Sequence, residues 1–407
     1  MTRTLVVVGH GMVGRRMVEE LRRRDEPGAW RVIVLAEEPR PAYDRANLSS
    51  YLDGRTAEDL TLTGPQSQAD PMVDLRLATP ATRIDPRTRT VTAGDTEITY
   101  DALVLATGSR PIVPPVAGND LDGCHVYRTF DDLDAIRAAA TPGRPGVVIG
   151  GGLLGLEAAN ALRLLGMRPQ VVEMAPHPMP QQLDGTGGQI LAGLIGALDI
   201  PVHCATAATE IHADAAGRLC GVSTTSGARL DADLVVFSAG IRPRDELAGP
   251  AGLATAEGGG FLVDRQCRAS EPGVWAIGEC AAVEGRRYGL VAPGYRMAEA
   301  VAGQLTGHGD AAFVGSDPST ELKLLGIDVA SFGDVHARTA GALELAYTDH
   351  AAGTYAKFVL DADARTLLGG ALVGNTSAYP LLAALVGHDL PARPEYLLDR
   401  VPVSEPG

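Results

Sequence analysis

Cysteine is scarce, with five in 407 residues. Cys124, Cys204, Cys220, Cys267 and Cys280 form neither a C-x-x-C nor a C-x-x-x-x-C pattern, so a local redox disulfide or clustered thiolate metal site is not expected. No cysteine stands between Met1 and Gly123. Lysine is scarcer still: Lys323 and Lys357 are the only two, and arginine carries the remaining positive charge. Basic residues number 35 against 50 acidic ones, a net charge of −15, which argues against nucleic acid or an anionic membrane surface as partner. The apolar stretches are too short or too broken by glycine to span a bilayer. The chain enters a strand by Leu5, which leaves no expected room for a signal peptide. A cytoplasmic protein of two or three domains with no bound metal is the expectation.

Glycine, by contrast, is plentiful and patterned. Gly150-Gly151-Gly152-Leu153-Leu154-Gly155 follows the apolar run Gly146-Val147-Val148-Ile149 and opens an amphipathic segment from Leu156 to Leu165. Gly9-His10-Gly11-Met12-Val13-Gly14 follows Leu5-Val6-Val7-Val8 in the same way. Strand, glycine-rich turn and helix is the context of a dinucleotide fingerprint: the glycines let backbone approach a pyrophosphate, and the new helix offers it free N–H groups. One such motif is weak evidence. Two in one chain imply two nucleotide cofactors, and so an oxidoreductase.

In chain order, Trp30 to Leu35 reads as a second strand leading to Glu37 and Glu38. A carboxylate there accepts from an adenosine ribose, with Glu37 preferred and Glu38 the alternative. Arg45, in a loop running into a short helix, is able to clamp a diphosphate, though taken alone it reads as a surface arginine. Asp101 to Leu105 is a strand ending in Ala106-Thr107-Gly108, small enough for close cofactor approach. Prolines 111, 114 and 115 mark a linker. The second strand of the next unit, Gln170 to Glu173, ends in an acid that accepts from a free 2′-hydroxyl and repels a 2′-phosphate, so NADH is favoured over NADPH. A second strand-end loop holds Gly240 and Ile241. Gly278-Glu279-Cys280 follows another strand, and its acid suits a ribityl hydroxyl. Pro293 is read as the start of a helix running to about Leu305. From about 311, apolar runs at 327–332, 343–347, 355–360 and 367–373 read as a small sheet, followed by a helix at 379–386.

The fold expected is α/β: two Rossmann-like dinucleotide-binding domains plus a small α+β C-terminal domain. The boundaries are 1–111 with 238–310, then 112–237, then 311–407. The last domain packs on the first two or carries a homodimer contact.

These motifs resemble the two-dinucleotide flavoprotein reductases of the pyridine nucleotide–disulfide oxidoreductase superfamily, essentially end to end. The chain is most similar to the flavin module of assimilatory NADH-dependent nitrite reductase large subunits. The matches are the first fingerprint, Glu38-Pro39-Arg40-Pro41-Ala42-Tyr43-Asp44-Arg45, Leu48-Ser49-Ser50-Tyr51, Gln182-Leu183-Asp184, Leu290-Val291-Ala292-Pro293-Gly294-Tyr295 and Leu322-Lys323-Leu324-Leu325-Gly326-Ile327. Rubredoxin and ferredoxin reductases are similar but often carry lysine where this chain has Ser50. The resemblance implies FAD in the first site, touched by Gly9, Gly11, Met12, Val13, Gly14, Arg45, Ala81, Ala106, Thr107, Gly108, Gly278, Glu279, Val291 and Ala292. It implies NADH in the second, touched by Gly150, Gly152, Leu153, Leu154, Gly155, Glu173, Gly240 and Ile241, with Glu157 near the nicotinamide.

The departures matter as much. Relatives with a thiol relay place a cysteine near the Ala42–Leu48 loop, and none is found there. Cys280 reads as a small buried residue, and His10 and His177 as local packing or solvated side chains. The cysteine clusters of iron–sulfur and siroheme modules are lacking, so the chain is not expected to reduce nitrite alone. The resemblance implies that hydride passes from NADH to FAD and that electrons then leave to an iron–sulfur or haem protein. Direct reduction of a small molecule or of dioxygen at the flavin is the alternative.

Overall fold

Leu5, Val6, Val7 and Val8 form an unbroken apolar run because the strand they make is covered on both faces; none is more than 4% exposed. This strand, β1 (Arg3–Val8), lies at the centre of a five-stranded parallel sheet. The order is Val274–Ala276, Ala102–Leu105, β1, β2 (Trp30–Leu35) and Val73–Arg76. Helix α1 (Met12–Arg24) joins β1 to β2. Before Ala102 the chain makes an antiparallel meander of Ala81–Asp85, Thr90–Ala93 and Thr96–Thr99. The computed structural model describes residues 2–62, 70–315 and 319–400. It divides the chain into two compact units, Met1–Arg110 with Ile241–Ser316 and Pro111–Gly240 with Asp317–Gly407.

The second unit repeats the plan. β3 (Pro145–Ile149), α2 (Leu153–Leu164) and β4 (Arg168–Val172) correspond to β1, α1 and β2. The parallel sheet is ordered Val202–His203, β4, β3, Leu234–Phe237, Cys124–Val126. Its meander, Ala208–Ala213, Leu219–Thr224 and Arg229–Asp231, again precedes the strand beside the central one. The outermost strand differs in origin. It comes late in the chain in the first unit and early in the second.

The second unit also holds a five-stranded antiparallel sheet, ordered Thr320–Leu324, Ile327–Gly333, Leu367–Val373, Thr354–Leu360, Leu343–Asp349. Phe332, Phe358, Leu372 and Leu382 form its core with the helix Tyr379–Leu385. The sheet meets the helix Gly185–Gly196 through a charged cluster. Asp184 caps that helix by accepting from Gly187 N at 2.9 Å, and it also accepts from the Tyr355 hydroxyl at 2.7 Å. Lys357, 3% exposed, lies 3.2 Å from Asp184 and 2.7 Å from Glu344. Burial alone would raise the Asp184 carboxyl. The Gly187 N–H, the Tyr355 hydroxyl and the Lys357 ammonium outweigh it and hold the group below the usual range.

The mixed α/β architecture with two Rossmann-like sheets and a C-terminal sheet is as expected. Three details differ. The helix assigned to Pro293 begins at Val291, so the proline is its third residue. The first four N–H groups of a helix have no partner within it, so a missing one costs nothing there. Helix α2 starts at Leu153 rather than Leu156, because the last two fingerprint residues before Gly155 are already helical. The strand Thr320–Leu324 was not expected among the C-terminal strands, since five residues of mixed polarity carry little periodic signal.

Candidate functional site

Each unit ends its central strand in a turn built by glycine sterics. Gly9 has φ +106° and Gly150 φ +119°. A Cβ at Gly9 would enter the carbonyl of Ala106, and one at Gly150 that of Ser238. A Cβ at Gly14 would strike the Gly9 carbonyl, and one at Gly155 the Gly150 carbonyl. Only the middle glycines escape: Gly11 and Gly152 have nothing within 4 Å of a Cβ position. Each is the N-cap of its helix, and neither α1 nor α2 has a side-chain cap. Uncapped N–H groups beside an open glycine form a concavity that fits a diphosphate. The donor chemistry and space of both turns therefore suit a dinucleotide.

Around the first turn the structure gathers most of the expected residues. Ala106, Thr107 and Gly108 follow the neighbouring strand. Thr107 Oγ1 donates to Arg244 O at 2.6 Å, and Gly108 O accepts from Arg244 N at 2.9 Å. Val13 packs against Gly278 and Gly294, where a Cβ would lie 3.3 Å and 2.5 Å from its methyls. Met12 opens α1. Glu279 accepts from Ser109 Oγ at 2.8 Å. Val291 and Ala292 open a helix with no side-chain cap. Glu37 is ion-paired with Arg244, while Glu38 accepts from Tyr43 at 2.8 Å and pairs with Arg45. Arg45 also stacks 4.8 Å from the Tyr43 ring centroid. Ala81 begins the first meander strand, partly buried against the core. Arg244 escaped the sequence reading, because its partner Glu37 lies far away in the chain and no motif links them.

Around the second turn, Glu173 accepts from Gly151 N at 2.5 Å and from Ala175 N at 2.6 Å. Leu153 and Leu154 open α2. Gly240, at φ +103°, accepts from Ile112 N at 2.9 Å. Ile241 belongs to the return segment of the first unit. Glu157 lies on α2 with Oε2 buried and without a partner among the described residues, and burial pushes its carboxyl up to about 7.

Other candidates are structural. Cys280 is fully buried, its thiol donates to Ile277 O at 3.3 Å, and burial raises its pKa. His177 contacts Pro178 O at 3.0 Å, and its ring fills the space a Cβ at Gly188 would need. No helix among the described residues is long and apolar enough to cross a membrane.

The family model described as pyridine nucleotide-disulphide oxidoreductase matches residues 3–303, and that of the rubredoxin NAD+ reductase C-terminal domain matches residues 318–389. The chain is 48% identical over 397 residues to a nitrite reductase [NAD(P)H] large subunit of Klebsiella oxytoca, covering 97% of this chain and 41% of the relative. It is 42% identical over 398 residues to the nitrite reductase (NADH) large subunit of Escherichia coli K12, covering 97% of this chain and 47% of the relative. The chain thus spans less than half the length of these relatives. Among solved structures, a ferredoxin reductase for the CYP199A2 system from Rhodopseudomonas palustris aligns with TM-score 0.84 at 29% identity, over 97% of this chain and 96% of that one.

The folded chain holds the Glu157 proton up to about pH 7, whereas the group ordinarily gives it up near 4.5. Ionisation therefore penalises the folded wild type alone as pH rises between these values. Glu157→Gln is expected to leave stability unchanged below this window and raise it by on the order of 3 kcal/mol at about pH 8. Urea unfolding at the two pH values checks this, and an equal gain at both would refute it.

Proposed function

The chain belongs to the pyridine nucleotide-disulphide oxidoreductase family of FAD- and NAD(P)H-dependent enzymes, and we propose that it draws hydride from NADH in preference to NADPH and delivers the electrons to a separate iron–sulfur or haem protein. The observation that carries this reading is the doubled turn: two strand–glycine–helix cradles, each with its middle glycine open and its helix uncapped. We assign FAD to residues 1–111 with 238–310, NADH to 112–237, and an interface role, including a homodimer contact, to 311–407.

When bound, FAD supplies the centre that takes hydride from the nicotinamide and releases electrons to the acceptor. The chain's own residues bind and orient. Gly9, Gly11, Met12, Val13 and Gly14 give the diphosphate a close backbone approach, and Arg45, carried over from the family resemblance, joins them as a cation. Ala106, Thr107 and Gly108 line the cofactor, and Gly278 and Glu279 meet its ribityl end. The uncapped N–H groups of Val291 and Ala292 carry partial positive charge suited to an anionic flavin edge. In the second cradle Glu173, fixed by two backbone donors, accepts from the adenosine ribose and repels a 2′-phosphate. Glu157 serves the nicotinamide end. The buried, proton-bearing Cys280 is unsuited to a thiol relay, which favours electron delivery without a sulfur intermediary.

The test is anaerobic stopped-flow mixing of NADH-reduced holoenzyme with ferredoxins, rubredoxins and a siroheme subunit. At least one is expected to be reduced at a rate that keeps pace with turnover. Failure with all of them, alongside rapid oxidation by dioxygen or a small nitrogen oxide, would overturn the protein-acceptor reading. Glu173→Ala is expected to raise the NADPH-to-NADH ratio of kcat/KM by roughly 10-fold. Wild-type preference for NADPH would refute the assignment. Gly14→Ala is expected to destabilise the apoprotein by about 2 kcal/mol through overpacking. Gly11→Ala should leave apoprotein unfolding unchanged yet weaken FAD binding. Equal stability loss in both variants would remove the steric distinction between the two glycines.

A further inference from the structure

The two cradles differ in which residue of one facing pair carries the polar side chain. In the second unit, a Cβ at Gly151 would stand 2.9 Å from Glu173 Cβ and 3.0 Å from its Oε2. The two positions compete for one side-chain volume, and Glu173 fills it. Backbone register identifies their counterparts. Gly150 N donates to Val172 O at 2.8 Å, and Gly9 N donates to Leu35 O at 2.8 Å. The residue matching Glu173 is therefore Ala36, and the residue matching Gly151 is His10. Ala36 is small and 2% exposed, so the first cradle has no carboxylate at this position, and its polar side chain stands at His10 instead. Glu37 and Glu38 lie beyond this position, and their carboxylates are engaged by Arg244 and by Tyr43 and Arg45.

Both ring nitrogens of His10 are buried and lack a partner among the described residues. Buried polar atoms without partners are uncommon and costly, so a pair of them beside a ligand cradle points to a ligand. Burial, helped by the charge of Arg15, lowers the imidazole pKa to about 4, so at neutral pH the ring offers one donor and one acceptor. A neutral ring also adds no negative charge next to an anionic diphosphate.

We propose that His10 recognises the adenosine ribose of FAD in the first cradle, through a hydrogen bond between its imidazole and a ribose hydroxyl. The swap of His10 and Ala36 for Gly151 and Glu173 makes it the counterpart of the ribose acid of the second cradle. This rests on FAD occupying the first cradle. His10 is a binding residue and takes no part in hydride transfer.

The test titrates apoprotein with FAD and with its 2′,3′-dideoxyadenosine analogue, following flavin fluorescence, for wild type and His10→Leu. The variant is expected to bind FAD roughly 10-fold more weakly. Wild type should lose a similar factor on the dideoxy analogue, while the variant loses little more, as coupling through one hydrogen bond requires. Nitrogen-15 histidine NMR of wild type gives a readout independent of any variant's folding: the His10 ring signals, identified by their loss in His10→Asn, should shift on adding FAD. Unmoved signals with unchanged FAD affinity in His10→Leu would overturn the proposal. Equal losses on the dideoxy analogue in both proteins would also overturn it and point to the diphosphate or to packing. Wild type that fails to bind FAD at all would overturn the cofactor assignment, and this inference with it.

Discussion

Two carbonyl oxygens, those of Gly9 and Gly150, lie where the first turn of the following helix must pass. Backbone has to meet backbone there, with no side chain between. That contact fixes where each helix begins beyond the central strand and leaves the middle glycine with open space where a Cβ would stand. The rest of each sheet serves this constraint. Strands buried on both faces make a platform stiff enough to hold the approach, and the meander returns the chain to the strand whose end completes the turn.

Charge is handled in two ways. Where ionised groups are buried for structure, they are answered several times over. Glu20, 3% exposed, meets Arg16 at 3.0 Å, Arg23 at 2.6 Å and Arg24 at 2.9 Å. Two groups beside the cradles behave in the opposite way. Glu157 and His10 have buried polar atoms without partners among the described residues, and burial drives each toward its uncharged form. A polar atom left unanswered by the protein is costly unless something else answers it, and these two flank the turns suited to dinucleotides.

The parts of the fold legible in the sequence were those set by local sterics and periodicity. Both fingerprints, the flanking strands and the place of Glu173 at a strand end follow from glycine spacing and strand length. Less legible were features set by partners distant in the chain. Arg244 engages Glu37 across a long sequence gap, and nothing near either residue announces it. The register that makes Ala36, rather than Glu37, the counterpart of Glu173 is set by one backbone hydrogen bond in each unit, Gly9 N to Leu35 O and Gly150 N to Val172 O. Glutamates at positions 37 and 38, of which the sequence reading prefers the first, pair with different arginines that no local pattern announces. The helix at Val291 shows a subtler limit: proline marks a helix start, but any of the first positions tolerates it.

The cluster of Asp184, Tyr355, Lys357 and Glu344 bears on how such a chain is inherited. One carboxylate serves as both a helix cap and the counter-ion of a lysine that is all but hidden from water. Exchanging the C-terminal sheet for that of another reductase would take the Tyr355 hydroxyl and the Lys357 ammonium away from Asp184, leaving one carboxylate oxygen on the cap and the other to recruit water. Evolutionary grafts at this seam should therefore succeed only when aspartate, tyrosine and lysine travel as a set, which makes the sheet a hereditary companion of the segment it covers rather than an interchangeable accessory.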